Sequence, residues 1–275
     1  MSSATDLRIR SLFNVRNAVV LVTGGATGVG EMAAQAFVQN GARVIIASRK
    51  ESALRETTDR LNALGPGMCE YEVADLKDRA GCDDLVKKIK ARTDRLAVLV
   101  NNTGVSWGAP YDDFPEHGWD KVMALNVKAI FYMTAGLQPL LRAAATVDAP
   151  ARIINIASVA GIQTIDVTAD GASKAACIHL SKILASKLAP LHITVNCICP
   201  GLFPSKMTSF GIAKYRDTLL RRQPTGRIGT PSDLGGVVIF LSSAAAAHLT
   251  GNVLVLDGGS TVTGWGLEKP VSSKM

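Results

Sequence analysis

The stretch from Val19 to Asn40 limits what this chain can fold into more than any other part of it. Four aliphatic residues, Val19-Val20-Leu21-Val22, lead into Thr23-Gly24-Gly25-Ala26-Thr27-Gly28-Val29-Gly30, and apolar residues at helical spacing follow through Phe37 and Val38. A β-branched run, a glycine-rich turn and an amphipathic helix make a βα unit of the kind that binds dinucleotides. In such a unit Gly24 permits the tight turn, Gly28 lets backbone approach a pyrophosphate, and Gly30 lets the helix pack on the strand. The free N–H groups and positive dipole end of the helix then face the phosphates, with Thr23, Thr27 and Val29 completing the expected lining.

The next strand, Arg43-Val44-Ile45-Ile46-Ala47-Ser48, ends in Ser48-Arg49-Lys50. A fold of this kind that prefers NAD places an acid near this strand end, on the ribose hydroxyls. A cation there pairs instead with a 2′-phosphate, so Ser48, Arg49 and Lys50 predict NADP(H) as the cofactor. Glu51 to Leu64 reads as a helix stopped by Gly65-Pro66-Gly67, and Glu70-Tyr71-Glu72-Val73 as a strand running into Asp75 and Leu76. At that strand end Asp75 is suited to hydrogen-bond an adenine amino group. A helix from about Ala80 to Arg92 precedes the apolar strand Leu96–Val100, which ends in Asn101-Asn102-Thr103-Gly104. Ligands sit beyond the carboxyl ends of such strands, which places Asn102 and Gly104 beside the cofactor.

Further on, Trp119 to Leu141 is a long helical pattern, whole or broken, carrying Asn126 in its interior. The strand Arg152–Ile156 ends at Ser158, the helix Gly171–Leu188 carries Lys174, and the strand Ile193–Cys197 is stopped by Pro200-Gly201. Residues 202–230, rich in Gly, Pro and Arg and without strong periodicity, read as a lid of the kind that long functional loops form. Ser232–Ser243 reads as the last helix and Val253–Asp257 as the last strand. The pattern predicts an α/β chain: a doubly wound Rossmann fold, its seven-stranded parallel sheet covered by helices on both faces. Residues 1–275 are expected to form one NADP(H)-binding domain with the lid at about 202–230.

Composition narrows the function. At 275 residues and 47% hydrophobic, with no low-complexity tract or repeat, the chain has the makings of one large core. Met1 to Arg16 lacks the apolar centre of a secretory signal, and no run reaches membrane-spanning length. The five cysteines have no spacing typical of zinc, and the four histidines show none either; no metal is expected, and a cytoplasmic protein with reduced thiols is. The net charge of +7 is scattered among acids with no aromatic interleaving, which suits a solvated surface and one phosphate pocket rather than nucleic acid. A small-molecule substrate is the expected partner.

Thr23-Gly24 with Gly28 and Gly30, Asn101-Asn102-Thr103-Gly104, Asn126, Ser158, Ser173-Lys174-Ala175-Ala176 and Pro200-Gly201 together resemble a short-chain dehydrogenase/reductase over nearly the whole chain. Within that family, Val100–Val127 and Pro200–Thr208 look most like the rhamnolipid-type 3-oxoacyl reductases and their fungal relatives in secondary metabolism. The resemblance implies NADPH-dependent hydride transfer in a homo-oligomer, a tetramer or a dimer. It implies a relay in which Asn126 holds a water, Ser158 orients the substrate oxygen, a tyrosine protonates it, and Lys174 binds the ribose and lowers the tyrosine pKa. It also brings Pro200, Gly201 and Phe203 to the cofactor, and sets Ser205 where the family has a threonine on the nicotinamide carboxamide.

The family tyrosine lies four positions before the lysine, and that position here is Asp170. The chain's tyrosines, Tyr71, Tyr111, Tyr132 and Tyr215, all lie elsewhere. A phenol of pKa about 10 carries its proton at neutral pH and a carboxyl of about 3.9 does not. Carbonyl reduction, which ends on an alkoxide, therefore loses its expected donor. An iminium needs none, because hydride turns it into a neutral amine, and a fixed carboxylate would hold such a cation by preorganised electrostatics. Fungal relatives that resemble this chain pair iminium-type reduction with an intramolecular Diels–Alder step in alkaloid pathways. Two other readings stand beside this one: a ketoreductase disabled by the aspartate, natural or engineered, and an NADP(H)-binding scaffold for non-redox isomerisation or cycloaddition. Trp107, Phe203, Met207 and Phe210 are the candidates for a wall around a large apolar substrate, and Asp166, four residues before Asp170, is the candidate for added negative potential beside it.

Overall fold

Seven aliphatic stretches form one parallel sheet: β1 (Val19–Thr23), β2 (Arg43–Ser48), β3 (Met68–Val73), β4 (Val98–Asn101), β5 (Ala151–Ile156), β6 (Ile193–Pro200) and β7 (Val253–Leu256). The computed structural model describes residues 6–164, 168–205 and 208–263. The strand order is β3-β2-β1-β4-β5-β6-β7. Every residue of β5 and β6 is buried, because helices cover both faces and leave no solvent side on which polar residues could alternate.

The helices are α1 (Ile9–Leu12), α2 (Gly28–Gln39), α3 (Glu51–Asn62), α4 (Arg79–Arg92), α5 (Glu116–Met123), α6 (Ala129–Ala144), α7 (Thr168–Leu188), α8 (Ser209–Arg221) and α9 (Pro231–Ser242). Successive strand residues point to opposite faces. Leu21, Leu99, Ile153 and Val195 therefore pack with Val86, Leu137 and Cys177 in one core. Val20, Val22, Val100, Ile154 and Ile198 join Phe37, Leu234 and Val238 in the other. Each such fully buried side chain stabilises the fold by about 1.5–3 kcal/mol relative to exposure.

Three features add to the sequence reading. The pattern over Trp119–Leu141 is α5 and α6 joined through a π-helical turn, Ala124–Lys128, which points the Asn126 side chain inward at 1% exposure. Such a turn carries one residue more than an α-turn and is a recurrent device at functional sites. The region read as an irregular lid contains α8, a helix bent at Tyr215 (φ −125°, ψ 28°). Most of α8 is exposed, and its apolar positions Ile212, Leu219 and Leu220 form the half-buried side of the helix. Finally, α7 meets the sheet through Ala169, Ser173, Cys177, Ser181 and Ala185, a run of small buried residues four apart that lets the helix lie close to the strands.

Between β1 and β4 the chain's direction of growth reverses, since β2 and β3 build outward on one side and β5 to β7 on the other. A crevice opens at the carboxyl ends of the strands at such a switch point.

Candidate active site

That crevice is a cavity of about 400 Å³. Its wall at the β1–α2 turn is Gly24, Thr27, Gly28 and Val29. Gly24 has φ +66° and Gly28 φ +59°, and a Cβ on Gly28 would stand 3.0 Å from Cβ of Ser205. Thr27 makes no side-chain hydrogen bond to the first turn of α2, so the leading N–H groups there have no side-chain cap.

Ser48 and Arg49 at the end of β2, and Asp75 and Leu76 beyond β3, form one end of the cavity. Arg49 is exposed and makes no ion pair or hydrogen bond among the described residues. Asp75 turns its Oδ1 back to accept from the Lys77 N–H at 3.2 Å. Asn102 and Gly104 line the floor, and Pro200, Gly201, Phe203 and Ser205 the side toward β6.

Three of the residues read as cofactor ligands are not in this wall: Thr23 and Gly30 stand behind it and Lys50 outside it. The Thr23 hydroxyl accepts from the N–H groups of Asn102 and Thr103 (3.0 and 3.1 Å), while Nδ2 of Asn102 donates to the carbonyls of Thr23 and Gly24 (3.0 and 3.1 Å). These bonds clamp the end of β4 to the end of β1. A Cβ on Gly30 would lie 2.3 Å from Nδ2 of Asn102, so Gly30 holds α2 against the same clamp. Lys50 is exposed at the N-cap of α3 and does not line the cavity.

The other end holds Ser158, Asp170 and Lys174. Asp170 and Lys174 sit one turn apart on one face of α7. The Lys174 ammonium donates to the Ile156 carbonyl at 3.2 Å. Nδ2 of Asn126 donates to the Asp170 carboxylate at 3.2 Å and to the Ser173 hydroxyl at 2.9 Å, and Ser173 in turn donates to the Asp170 carbonyl at 2.7 Å. Asn126 also brackets Val105, accepting from its N–H at 2.9 Å and donating to its carbonyl at 3.0 Å. Its amide is thus a strut between the loop after β4 and the first turn of α7. Burial pushes the Asp170 carboxyl above its ordinary range, against the opposing pull of the Lys174 charge and the Asn126 hydrogen bond. Ser158 accepts from the Ala160 N–H at 3.1 Å, and its own proton has no acceptor among the described residues.

No tyrosine lines the cavity. The Tyr71 hydroxyl donates to Glu51, Tyr111 is 86% exposed, Tyr132 lies under Arg79, and Tyr215 lies under Lys214 in α8. Trp107 does not line it either. Its ring packs edge-on to His117 (5.1 Å), carries the Lys121 ammonium (5.2 Å) and covers Gly118. Asp166 and Met207, and the side chain of Phe210, lie outside the described residues.

The sequence reading missed several contributors. Thr208 lines the cavity and ties Ser205 in place, accepting from its N–H at 2.9 Å. Val105, Leu125, Ile156 and Ala157 supply apolar wall. Beneath it, Asn101 donates to Asn155 (2.9 Å) and Asn155 to Ser181 (2.9 Å), a buried ladder across β4, β5 and α7. The signal available for the ladder was an asparagine in each of two strands that pair in register.

Comparison with known proteins adds to this geometry. Residues 24–261 match the family model described as enoyl-(acyl carrier protein) reductase. The rhamnolipids biosynthesis 3-oxoacyl-acyl-carrier-protein reductase of Pseudomonas aeruginosa is 44% identical over 252 residues, covering 90% of this chain and 97% of that protein. The 3-oxoacyl-acyl-carrier-protein reductase of Thermotoga maritima is 34% identical, over 89% of this chain and 98% of its own. Among solved structures, the Pseudomonas aeruginosa RhlG/NADP active-site complex is similar at a TM-score of 0.86 and 43% identity, covering 90% of this chain and 98% of that one.

Proposed function

This chain belongs to the short-chain dehydrogenase/reductase family, and we propose that it is an NADP(H)-dependent reductase acting on an iminium-type C=N bond of a secondary metabolite. The cavity fits the cofactor on its own terms. Gly28, at φ +59°, makes the left-handed turn where backbone must approach a phosphate, and Arg49 offers a cation that no carboxylate of the described residues has claimed. In this reading Arg49, helped by Ser48, takes the 2′-phosphate, Asp75 and Leu76 the adenine, and the α2 N-terminus the pyrophosphate. Asn102, Gly104, Pro200, Gly201, Phe203 and Ser205 hold the nicotinamide end, and Lys174 the adjoining ribose. When bound, the cofactor supplies a hydride.

One observation supports the choice of substrate: a carboxylate, Asp170, faces the cavity beside Lys174, and none of the chain's tyrosines lines it; the resemblance in sequence assigns that position to the family's tyrosine. Asp170 binds the cationic C=N group and Asn126 fixes its orientation. The C=N electron pair ends on nitrogen as a lone pair, so no proton is called for. Ser158, with its hydroxyl proton free, orients a neighbouring polar group of the substrate. An intramolecular Diels–Alder closure after reduction is the wider form of this reading; it asks the apolar wall of Val105, Leu125 and Phe203 only to hold a folded product.

A second reading is favoured by the direction of the Asp170 shift and by the 3-oxoacyl reductases among the relatives. There Asp170 stays protonated and gives its proton to a carbonyl oxygen. NADPH oxidation against cyclic iminium salts and 3-oxoacyl thioesters separates the two. Iminium turnover by the native chain, with thioester turnover appearing only on Asp170→Tyr, is the expected result. Thioester turnover by the native chain that is lost on Asp170→Asn establishes the second reading instead.

A further inference from the structure

The glycine-rich turn between β1 and α2 is held from two sides. On the β4 side, Nδ2 of Asn102 donates to the carbonyls of Thr23 and Gly24. On the α3 side, the hydroxyl of Thr57 donates to the carbonyl of Ala26 at 3.0 Å. Thr57 is 3% exposed and Ala26 4%, so this bond crosses the buried seam between α3 and the turn. Among the described residues, no other side chain bonds to the backbone of residues 24–27.

Its neighbours decide which way that hydroxyl points. Arg60, further along α3, donates to Oγ1 of Thr57 at 3.4 Å, and a guanidinium can only donate. The Thr57 proton is therefore left to the Ala26 carbonyl. Arg60 is itself paired with Glu31 in the first turn of α2, so α2 and α3 brace the hydroxyl between them. The peptide bonds here are trans, and a planar trans peptide points its C=O and N–H in opposite directions. Drawing the Ala26 carbonyl toward α3 thus turns the Thr27 N–H away from α3. Thr27 lines the cavity, and its N–H has no acceptor among the described residues.

We propose that Thr57 is a positioning residue for the cofactor: from behind the wall it fixes the Ala26–Thr27 peptide so that the Thr27 N–H meets a phosphate oxygen of the dinucleotide. A free N–H beside a helix N-terminus suits such an anion, and one already held in place needs no reordering when the anion arrives. Thr57 itself touches no ligand. The next residue, Thr58, turns its hydroxyl to Sγ of Cys69 in β3 at 3.9 Å and takes no part in the turn. The inference rests on the dinucleotide half of the proposed function and is independent of the substrate.

The test is fluorescence titration of NADPH and NADH into the full chain. Thr57→Val keeps the side-chain shape and removes the hydroxyl. It should raise the NADPH Kd about 3- to 10-fold, the worth of one hydrogen bond, and Thr57→Ser should keep the native value. An equal loss for NADH assigns the Thr27 N–H to the shared diphosphate, and a loss confined to NADPH assigns it to the 2′-phosphate. Arg60→Met reaches the same hydroxyl from the more exposed side of α3, without opening the core, and should raise the NADPH Kd too. Thr58→Val removes the neighbouring hydroxyl of the same helix and should leave both Kd values alone, whatever it does to Tm. A Kd unmoved by either Thr57→Val or Arg60→Met, a loss of the same size in Thr57→Ser, or an equal loss in Thr58→Val each overturns the proposal. A native chain that binds no NADPH overturns the cofactor reading along with it.

Discussion

Replacing Asp170 by Asn is the sharpest test of the charge assigned to the reaction. The change is isosteric, and the new amide keeps an oxygen for the Asn126 Nδ2 that donates at 3.2 Å. The Ser173 bond to the residue 170 carbonyl is untouched. What is lost is the negative charge. An iminium about 4 Å from a carboxylate gains roughly 4 kcal/mol at an effective dielectric of about 20. Lys174 and Asn126 already draw on the same carboxylate, so the part felt by the substrate falls in the charge-assisted range of about 1.5–3 kcal/mol. That is about a 10- to 150-fold loss in kcat/KM. The substrate's charge is greatest before hydride arrives and falls in the transition state, so the loss should appear in KM rather than kcat. The pH dependence has a sign too. Binding needs ionised Asp170, so kcat/KM should rise with pH through a pKa above the ordinary carboxylate range, and Asp170→Asn should erase that limb. Stability moves the other way. A carboxyl whose folded pKa is raised is penalised once ionised, so the substitution should raise Tm near pH 7, with the gain fading as pH falls toward the ordinary carboxylate range. Steady-state kinetics on a cyclic iminium salt across pH, with melting curves alongside, reads all of this. A kcat that collapses while KM holds, or a native rate that falls as pH rises, would refute the reasoning and point to Asp170 as a proton donor.

Arg49→Asp should raise the NADPH Kd by about 10- to 100-fold, the worth of one charge-assisted contact, and leave NADH nearly unchanged; equal losses for both would remove the phosphate assignment. Gly30→Ala would place a Cβ 2.3 Å from Asn102 Nδ2 and 2.4 Å from the Gly24 carbonyl oxygen, and should cost about 1–3 kcal/mol, visible as a Tm lowered by several degrees. An unchanged Tm would show that α2 yields freely at that point. We also propose that the chain is a homo-oligomer. The open sheet edge at β7, where Val255 is 43% exposed, supports self-association, and Val255→Lys should shift the mass measured by light scattering toward the monomer. A monomeric native chain would dispose of that reading.

Much of this arrangement is legible in the sequence because it is local. The β-branched runs of β1, β2 and β6 announce buried parallel strands, and Gly24, Gly28 and Gly30 announce the turn between β1 and α2. Asp170 and Lys174 stand four apart in a helical pattern, which alone sets them on one face. The rest depends on partners distant in the chain. Thr23 reads as a cofactor contact, yet its hydroxyl is spent on the backbone of Asn102 and Thr103, about eighty residues away. Trp107 reads as a pocket wall, yet Lys121 and His117 hold its ring. The spacing of Ile212, Tyr215, Leu219 and Leu220 fits α8, but the stripe is short and interrupted by charged residues, and the Gly and Pro around it make the region read as a loop.

The π-helical turn at Ala124–Lys128 makes the length of this region a constraint as strict as its composition. Removing one residue there would let the chain relax into an unbroken α-helix, and everything upstream would rotate by about 100° about the common axis. Asn126 would leave its place between Val105 and Asp170, and the chain would lose the gauge that sets how far its two halves stand apart at the mouth of the crevice. Point substitutions test the chemistry of such a strut; a single-codon deletion tests its geometry.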